Sequence, residues 1–340
     1  MDDKIFVSST INQNSDDGSA ENQYEATQEQ LEIDGSIIKS KVNGKTYDAG
    51  TLEITSLDEL RDEVEDDPDY FLWNIGPSEV IGDVQKLHVE NPGSVFQVAS
   101  QFNLLEMAGP NDTPEIGIGG YEDDYTQGPA CAIACGAGTI YRNYLVPVGD
   151  QIGQTADCQI DCLSEIGVKL NNAENGFWKM QNGYAMLDPA KIHNLNKKLG
   201  ALSERRLDLL ASELKIGIQW NTEITLNDNK DKVTQVYAAA LPLGYLNMDK
   251  SLCQPFAQLI LDAAYEAAFM IVYKNNLKTR NKKLFLTLVG GGVFENPQEW
   301  IISAIRKAAM KFRRVPLDIK IVSYGSSNPL VRDLVEEFKV

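Results

Sequence analysis

The sequence has little histidine, few basic residues relative to acidic ones, and no long hydrophobic run. Of its 340 residues, 31 are Lys or Arg and 49 are Asp or Glu, which gives a formal net charge of −18. Nucleic acids are bound through clustered Lys and Arg, so this balance argues against a nucleic-acid partner. No run approaches the roughly 20 apolar residues of a membrane span, and residues 1–4 lack the features of a signal peptide. We therefore expect a soluble, cytoplasmic protein with no membrane partner.

The few cysteines and histidines also exclude some chemistries. Five cysteines are an odd number for a disulfide framework, which favours a reducing compartment. Two Cys-x3-Cys pairs, beginning at Cys131 and Cys158, would offer four thiolates to zinc, but small core residues on helices are the more usual role of this spacing. The only histidines, His88 and His193, have no nucleophile motif beside them. We expect neither a metal site nor a histidine-dependent nucleophile.

The first 80 residues are predicted to lie outside the main domain. Residues 1–30 are rich in Asn, Ser, Gln, Asp and Glu, so we predict a flexible lead. Residues 31–80 are predicted to form an accessory segment. Within it, alternation over residues 37–42 before Asn43 and Gly44 indicates a hairpin, and Ser56 has the pattern of a helix start.

From residue 81 onward, apolar segments alternate between strand and helix patterns. Strands are predicted at residues 95–99, 232–239, 284–289 and 319–323, and helices at residues 130–144, 254–274 and 297–312. This alternation predicts a βαβ series, and hence an α/β fold with helices on both faces of a largely parallel sheet. Residues 149–218 interrupt this alternation of strands and helices. They are predicted to be a helical insertion within a main domain of residues 81–340.

The sharpest local signal is a run of three glycines after the third predicted strand. Gly290, Gly291 and Gly292 are followed by Val293 and Phe294, before a predicted helix. Glycines here let backbone N–H groups approach a phosphate, and the helix N-terminus adds a favourable dipole. It is neither a P-loop nor a Rossmann fingerprint, because both motifs need residues that are absent. A tight turn is an equally good interpretation of three glycines alone.

Two polar residues flank the first core strand. Asp83, before Val84, is positioned to accept a hydrogen bond from an adenine amino group, and Asn103 lies just past the strand's carboxyl end. Open α/β sheets place their ligands at that edge. For either residue alone, a role in a turn is the simpler explanation.

A glycine-rich acidic loop precedes the helix predicted at residues 130–144. It includes Gly119, Gly120, Tyr121 and three adjacent acids at residues 122–124, namely Glu122, Asp123 and Asp124. Repulsion among neighbouring carboxylates is expected to raise one pKa, and such a group can act as a general acid beside an ionised neighbour. A solvated acidic turn is the alternative.

In order and context, these landmarks resemble a macrodomain, a three-layer α/β/α module with a mixed central sheet that binds ADP-ribose. The resemblance covers about residues 80–325 apart from the insertion. It implies that Asp83 holds adenine, that Asn103 contacts the distal ribose, and that residues 290–294 hold the diphosphate, with Phe294 near the inner ribose or the adenine. The implied ligand-binding residues are Asp83, Val84, Asn103, Gly119, Gly120, Tyr121, Gly290, Gly291, Gly292, Val293 and Phe294.

The acidic loop is similar to the catalytic loop of the poly(ADP-ribose) glycohydrolase branch, which implies catalytic roles for Glu122, Asp123 and Asp124. Residues 126–132 are also similar to macrodomain effectors that intracellular bacteria secrete into a host cytosol to remove ADP-ribose from arginine, including on ubiquitin. The resemblance thus implies an ADP-ribosylhydrolase that acts on a modified protein and needs no cofactor. A non-catalytic ADP-ribose reader, or a scaffold with a vestigial pocket, is the alternative.

Overall fold

The computed structural model of the chain describes residues 20–63, 76–124 and 126–339. Its largest sheet has seven strands. In spatial order they are β4 (Thr51–Ser56), β11 (Lys215–Glu223), β12 (Lys232–Ala238), β6 (Val95–Ala99), β13 (Lys283–Leu286), β14 (Asp318–Ser323) and β5 (Ser78–Ile81). Smaller antiparallel sheets contain β1 (Leu31–Asp34), β2 (Ile37–Ser40) and β3 (Thr46–Asp48), then β7 (Pro147–Val148) with β8 (Gln151–Ile152), and β9 (Trp178–Gln181) with β10 (Tyr184–Leu187).

The large sheet is mixed, and its parallel part is the part buried on both faces. The strands β12, β6, β13, β14 and β5 pair in parallel, whereas β11 is antiparallel to both of its neighbours, β12 and β4. In the central strand β6, four of the five residues are buried. A parallel strand covered on both sides needs such a continuous apolar run, which explains why sequence patterns detect it.

Helices cover both faces of this sheet. The described α-helices are α1 (Ala20–Glu29), α2 (Leu57–Asp62), α3 (Val84–Glu90), α4 (Gln127–Ala134), α5 (Gly136–Ile140), α6 (Ser164–Lys169), α7 (Asn172–Asn175), α8 (Ile192–Gly200), α9 (Glu204–Ala211), α10 (Gln254–Thr279), α11 (Gln298–Lys311) and α12 (Pro329–Glu337). On one face α10 packs against β6, β12, β13 and α11, while α4 packs on β6 beside α3 and α5. The predicted fold class, a three-layer α/β/α architecture with a mixed central sheet, is confirmed.

The central helix α10 corrects the expectation that no segment has the length and apolarity of a membrane span, but it is a core element. The stretch Lys250–Thr279 qualifies by composition, yet 83% of its most apolar window is buried inside the protein. Its buried residues pack against the sheet and α11.

The prediction of a flexible lead is wrong for its last third. Ala20–Glu29 form helix α1, in which Tyr24 and Thr27 are buried. The Tyr24 hydroxyl donates a hydrogen bond to the Asn143 carbonyl, and its ring lies 4.9 Å from that of Tyr144. One aromatic anchor therefore orders a helix that the polar composition around it does not favour. Residues 1–19, the rest of the predicted lead, lie outside the described residues.

The predicted boundaries at residues 80 and 218 also need correction. Strands β4 and β5 belong to the predicted accessory segment, yet β4 forms one edge of the seven-stranded sheet and β5 the other. Strand β11 begins at Lys215, so the insertion ends before it, and the insertion contains the β9–β10 hairpin as well as helices. The predicted helix start at Ser56 is confirmed by a capping box with Glu59.

We predict that Tyr24 anchors α1. Tyr24→Ala should lower the free energy of unfolding by about 3 kcal/mol, because it empties a buried aromatic site and removes a buried hydrogen bond. Urea denaturation measures this change. The exposed neighbour Glu25 offers a matched control, and Glu25→Ala should change stability by less than about 0.5 kcal/mol. Equal effects of the two substitutions would contradict the anchoring role.

Candidate active site

Two clefts adjoin at the carboxyl ends of the parallel strands. The first has a volume of about 1030 Å³ and the second about 240 Å³. Both are lined by Asp124, Thr126, Gln127, Thr287 and Leu288, so they form one continuous depression. Ligands of open α/β sheets bind at this edge because the loops that follow each strand converge there.

The first cleft contains the predicted adenine residue. Asp83 follows β5 and is the N-cap of α3, where its Oδ1 accepts a hydrogen bond of 2.8 Å from the Gln85 amide. The expected position directly before strand β6 is wrong, because helix α3 lies between Asp83 and that strand. Asp83 and Val84 both line the cleft. A carboxylate can accept about four hydrogen bonds, so capping leaves Asp83 able to accept more.

The far wall of the first cleft is a loop fixed by a carboxylate that sequence reasoning missed. Glu79 in β5 accepts hydrogen bonds from the hydroxyls of Ser323 (2.6 Å) and Ser327 (2.5 Å) and from the Asn328 amide (2.7 Å). Burial opposes ionisation, but these bonds outweigh it and lower the pKa of Glu79. The loop between β14 and α12 is thereby held beside Asp83, with the Tyr324 side chain exposed at the rim.

The glycine run forms one wall of the second cleft. Gly290 has a φ of 77°, and a Cβ there would come within 2.5 Å of the Ala240 Cβ, so only glycine suits the position. Among the described residues, no acceptor receives the backbone N–H groups of residues 290, 292, 293 and 294, which all line the cleft. Gly291 differs, because its amide donates to the Leu288 carbonyl and it is not among the lining residues. Successive unused amides in a turn are suited to an anion.

Aromatic rings line the same cleft. The ring of Phe294 lies 5.4 Å from that of Tyr184 and 6.1 Å from that of Tyr245. Tyr184 belongs to β10, so the insertion contributes to this cleft. Phe294 therefore lines the second cleft and Asp83 the first, and its expected place near the inner ribose or the adenine stays a prediction.

Asn103 lies after β6 as predicted, but its side chain is not at the clefts. It is fully buried and is not among the residues that line either cleft. Its amide group donates to Gln159 Oε1 (2.9 Å), and its Oδ1 accepts from the Leu105 amide (3.1 Å). The hydrogen-bonding groups of its side chain are therefore engaged in shaping the loop after β6. Gln101 lines the second cleft instead.

The acidic loop is divided between the clefts and the solvent. Glu122 lines the first cleft, and Asp124 lines both. Asp123 is exposed and, like Gly119, Gly120 and Tyr121, is not among the lining residues of either cleft. These four residues therefore lie outside the lining of both clefts, and their predicted roles toward the ligand stay predictions. The short 3-10 helix Gly119–Asp123 explains this placement, because it turns the loop so that Tyr121 points into the core.

A buried carboxyl group in the second cleft was missed by sequence reasoning. Glu106 is 6% exposed, and its Oε1 has no hydrogen-bond partner in the described structure. Burial raises the pKa of Glu106 to about 8, opposed by the positive charge of Arg142 and reinforced by the negative charge of Asp124. A carboxyl with such a pKa is protonated at neutral pH and can donate a proton.

Gly128, in the first turn of helix α4, leaves space for the carboxyl group of Glu106. A Cβ on Gly128 would overlap Oε2 of Glu106, so the glycine leaves room for the acid. Gln127, the preceding residue, accepts a hydrogen bond from the Ala99 amide at the end of β6 (3.2 Å). Gly128 and Glu106 are far apart in sequence, and no local pattern predicts their contact.

Arg142 is buried behind the second cleft. It is fully buried, with Nε donating to the Leu104 carbonyl (2.9 Å) and its guanidinium 3.8 Å from the centroid of the Tyr237 ring. Leu104 has a φ of 66°, an uncommon value for a residue with a side chain. Arg142 therefore holds a strained turn two residues before Glu106.

The remaining candidates belong to the core. Cys131 and Cys135 are buried, and no group of three or more potential metal ligands occurs within residues 20–63, 76–124 and 126–339. His88 is stacked 3.7 Å from Phe96, and burial lowers its pKa to about 4.

Comparisons with known proteins give only distant structural similarity. No family model and no curated protein matches the sequence. A solved poly(ADP-ribose) glycohydrolase from Thermomonospora curvata is 10% identical, covers 94% of this chain and 97% of its own, and has a TM-score of 0.43. That of Deinococcus radiodurans in complex with ADP-ribose is 12% identical, covers 84% and 94%, and has a TM-score of 0.42. With similarity this low, the function has to be argued from the chain's own clefts.

The raised pKa of Glu106 predicts a pH-dependent cost to stability. The folded protein keeps a proton that the unfolded chain, with the usual carboxyl pKa of 4.5, releases. The stability that protonated Glu106 contributes to the folded state is fully present below about pH 4.5 and is lost as the pH rises through about 8. The side chain of Glu106→Gln does not titrate, so the variant escapes this loss. Its free energy of unfolding minus that of the unmutated protein should therefore rise between about pH 5 and about pH 9, by on the order of 2 kcal/mol or more. Urea unfolding at both pH values measures this difference, and a difference that does not change with pH would refute the buried protonated acid.

Proposed function

We propose that this protein is a macrodomain that binds ADP-ribose along the two adjoining clefts and hydrolyses the bond that joins the distal ribose to a modified protein. The observation that carries the proposal is the continuous depression, with Asp83 at one end and carboxyl groups beside unused amides at the other. A dinucleotide-like ligand has matching parts: a base at one end, a diphosphate, and a reactive sugar.

For the adenine end we propose Asp83 and Val84. The Asp83 carboxylate lines the larger cleft, where it can accept a hydrogen bond from the adenine amino group while still capping α3. Apolar residues from three further elements line the same cleft, namely Ile133, Leu288 and Val322. They supply a surface suited to a planar base.

For the diphosphate we propose the backbone of residues 292–294 with Gly290. Within the described part of the chain, the residues that line the two clefts include no Lys, Arg or His, so backbone dipoles would provide the attraction. The unused amides of this turn belong to residues that all line the second cleft, so they would supply the donors. The aromatic group of Phe294, Tyr184 and Tyr245 lies beside them and would pack against the distal ribose.

The charge of the clefts favours a cationic leaving group. Asp83, Glu122 and Asp124 line the clefts, and among the described lining residues there is no basic one to offset them. A chain of poly(ADP-ribose) would bring further negative charge to this surface, whereas an arginine side chain would bring a guanidinium that pairs with carboxylates. We therefore propose ADP-ribosylated arginine as the substrate. The net charge of −18 would similarly favour a basic protein surface around it.

The modified protein and the place of action are proposed on the resemblance alone. Residues 126–132 are similar to effectors that act on ubiquitin in a host cytosol, so ADP-ribosylated ubiquitin is the first substrate to test. Of these residues, Thr126, Gln127, Gly128 and Pro129 line the second cleft, which is consistent with a role in the proposed site.

Among the three predicted catalytic acids, we propose Asp124 as the group that activates water. It is the one of the three that lines both clefts, where the distal ribose would lie. Glu122 is placed to pair with the arginine or the ligand in the first cleft. No metal is needed for this step.

The activities of variants at the neighbouring acids Asp124 and Asp123 test this assignment. In single-turnover release of ADP-ribose from ADP-ribosylated arginine peptide, Asp124→Asn should reduce the rate by on the order of 10²-fold or more. Asp123→Asn, one residue away and exposed, should reduce it far less. A larger loss of rate in Asp123→Asn than in Asp124→Asn would contradict the assignment. If the unmutated protein bound ADP-ribose tightly but released none from the peptide, the protein would be a reader.

The role of the glycine turn is tested by affinity. Gly290→Ala places a side chain at a positive φ against Ala240, which should displace the amides and weaken ADP-ribose binding by on the order of 10-fold or more. Isothermal titration calorimetry measures this affinity. Gly200→Ala, at the end of α8 where a Cβ meets no other atom, is the matched control and should bind normally. Unchanged affinity of folded Gly290→Ala would exclude the turn as the phosphate site.

A further inference from the structure

Glu106 is a buried acid that lines the second cleft, and no local sequence motif marks it as a functional residue. Its carboxyl is almost completely buried and lines the cleft, with Oε1 lacking a partner in the described structure. An unpaired buried carboxyl is costly, by about 1–3 kcal/mol or more, so a functional requirement is a natural explanation.

The loop around Glu106 is built to hold it in place. Three separate contacts fix the backbone that leads into Glu106: Arg142 binds the Leu104 carbonyl (2.9 Å), Asn103 Oδ1 accepts from the Leu105 amide (3.1 Å), and the Tyr121 hydroxyl accepts from the amide of Glu106 itself (3.0 Å). None of the three uses the carboxyl group. The side chain is thus positioned through its backbone, and Glu106 is among the residues that line the cleft.

The neighbourhood of the carboxyl also excludes a simple ion-pair role. Arg142, the nearest buried cation, directs its guanidinium to the Leu104 carbonyl, the Tyr237 hydroxyl and the Thr139 hydroxyl, and forms no ion pair with Glu106. Gly128, on the other side, leaves space against Oε2. A structural carboxylate would be expected to accept hydrogen bonds or an ion pair here.

We propose that Glu106 is the general acid that protonates the departing arginine nitrogen, an inference that rests on the proposed hydrolysis. Water forms a bond to the anomeric carbon as the bond from that carbon to the guanidine nitrogen breaks. The Glu106 proton passes to that nitrogen, and a proton of the water passes to the Asp124 carboxylate. ADP-ribose and the arginine side chain are released, and proton transfer from Asp124 to Glu106 restores the site.

Leaving-group chemistry separates this role from a structural one. Guanidine is a strong base, so it leaves readily only if it takes up a proton, whereas the nicotinamide of α-NAD⁺ is a weak base that leaves without one. Both substrates present the same ADP-ribosyl group to the clefts. Loss of a general acid should therefore slow the first reaction far more than the second.

The experiment compares Glu106→Gln with the unmutated protein on both substrates in single turnover. We expect the rate on ADP-ribosylated arginine peptide to fall by on the order of 10²-fold or more, and that on α-NAD⁺ to change less than about 10-fold. Glu106→Asp, which keeps an acid at shorter reach, should lose less than Glu106→Gln on the peptide. For the unmutated protein, the peptide rate should also fall above about pH 8, where Glu106 ionises.

The outcomes distinguish the two proposals. Equal loss on both substrates, or no loss on the peptide, would overturn the role of Glu106 while leaving hydrolysis intact. Cleavage of neither substrate by the unmutated protein would overturn the proposed function, and this inference with it. ADP-ribose affinity of Glu106→Gln, measured by calorimetry, should match that of the unmutated protein, which establishes that the variant is folded.

Discussion

Parallel pairing of β12, β6, β13, β14 and β5 is the constraint on which the clefts depend. Because these strands run in one direction, the loops that follow them meet at a single edge of the sheet. Residues that are more than 200 positions apart, such as Asp83 and Gly290, thereby line one continuous depression. The pairing in turn depends on a core that covers both faces, in which α10 and the opposing helices α3 and α4 bury apolar strands.

The second cleft concentrates features that cost stability. Glu106 is buried with an unpaired oxygen, Leu104 has a positive φ, and Arg142 is a fully buried cation held by a carbonyl, two hydroxyls and an aromatic ring. Such features persist only where the surrounding structure determines them, and they cluster at functional sites. Leu104 and Glu106 lie in one loop, which Arg142 contacts from a helical segment. Their occurrence together at the edge where the parallel strands end is what distinguishes this cleft from an ordinary surface depression.

The sequence predicts the buried elements well because burial produces long apolar patterns. Strands β6, β12, β13 and β14 were all expected from such runs, whereas β4, at the edge of the sheet, was assigned to an accessory segment. Its burial pattern is mostly exposed or intermediate, so it lacks the signal of a central strand.

The candidate site was predicted only where a motif is local. The glycines at residues 290–292 and the acids at residues 122–124 are contiguous in sequence, so their clustering is visible there. Glu106 depends on space that Gly128 leaves and on support from Arg142, which are contacts between distant segments. Asn103 was assigned to the ligand because its position after β6 is right, but nothing local indicates that its side chain turns inward to Gln159.

The most direct test of the account is a crystal structure of the protein with ADP-ribose bound. We predict that the adenine lies against Asp83, that the diphosphate accepts hydrogen bonds from the amides of residues 292–294, and that the anomeric carbon of the distal ribose faces Asp124 and Glu106. ADP-ribose bound outside this depression, or with its distal ribose in the cleft of Asp83, would contradict it.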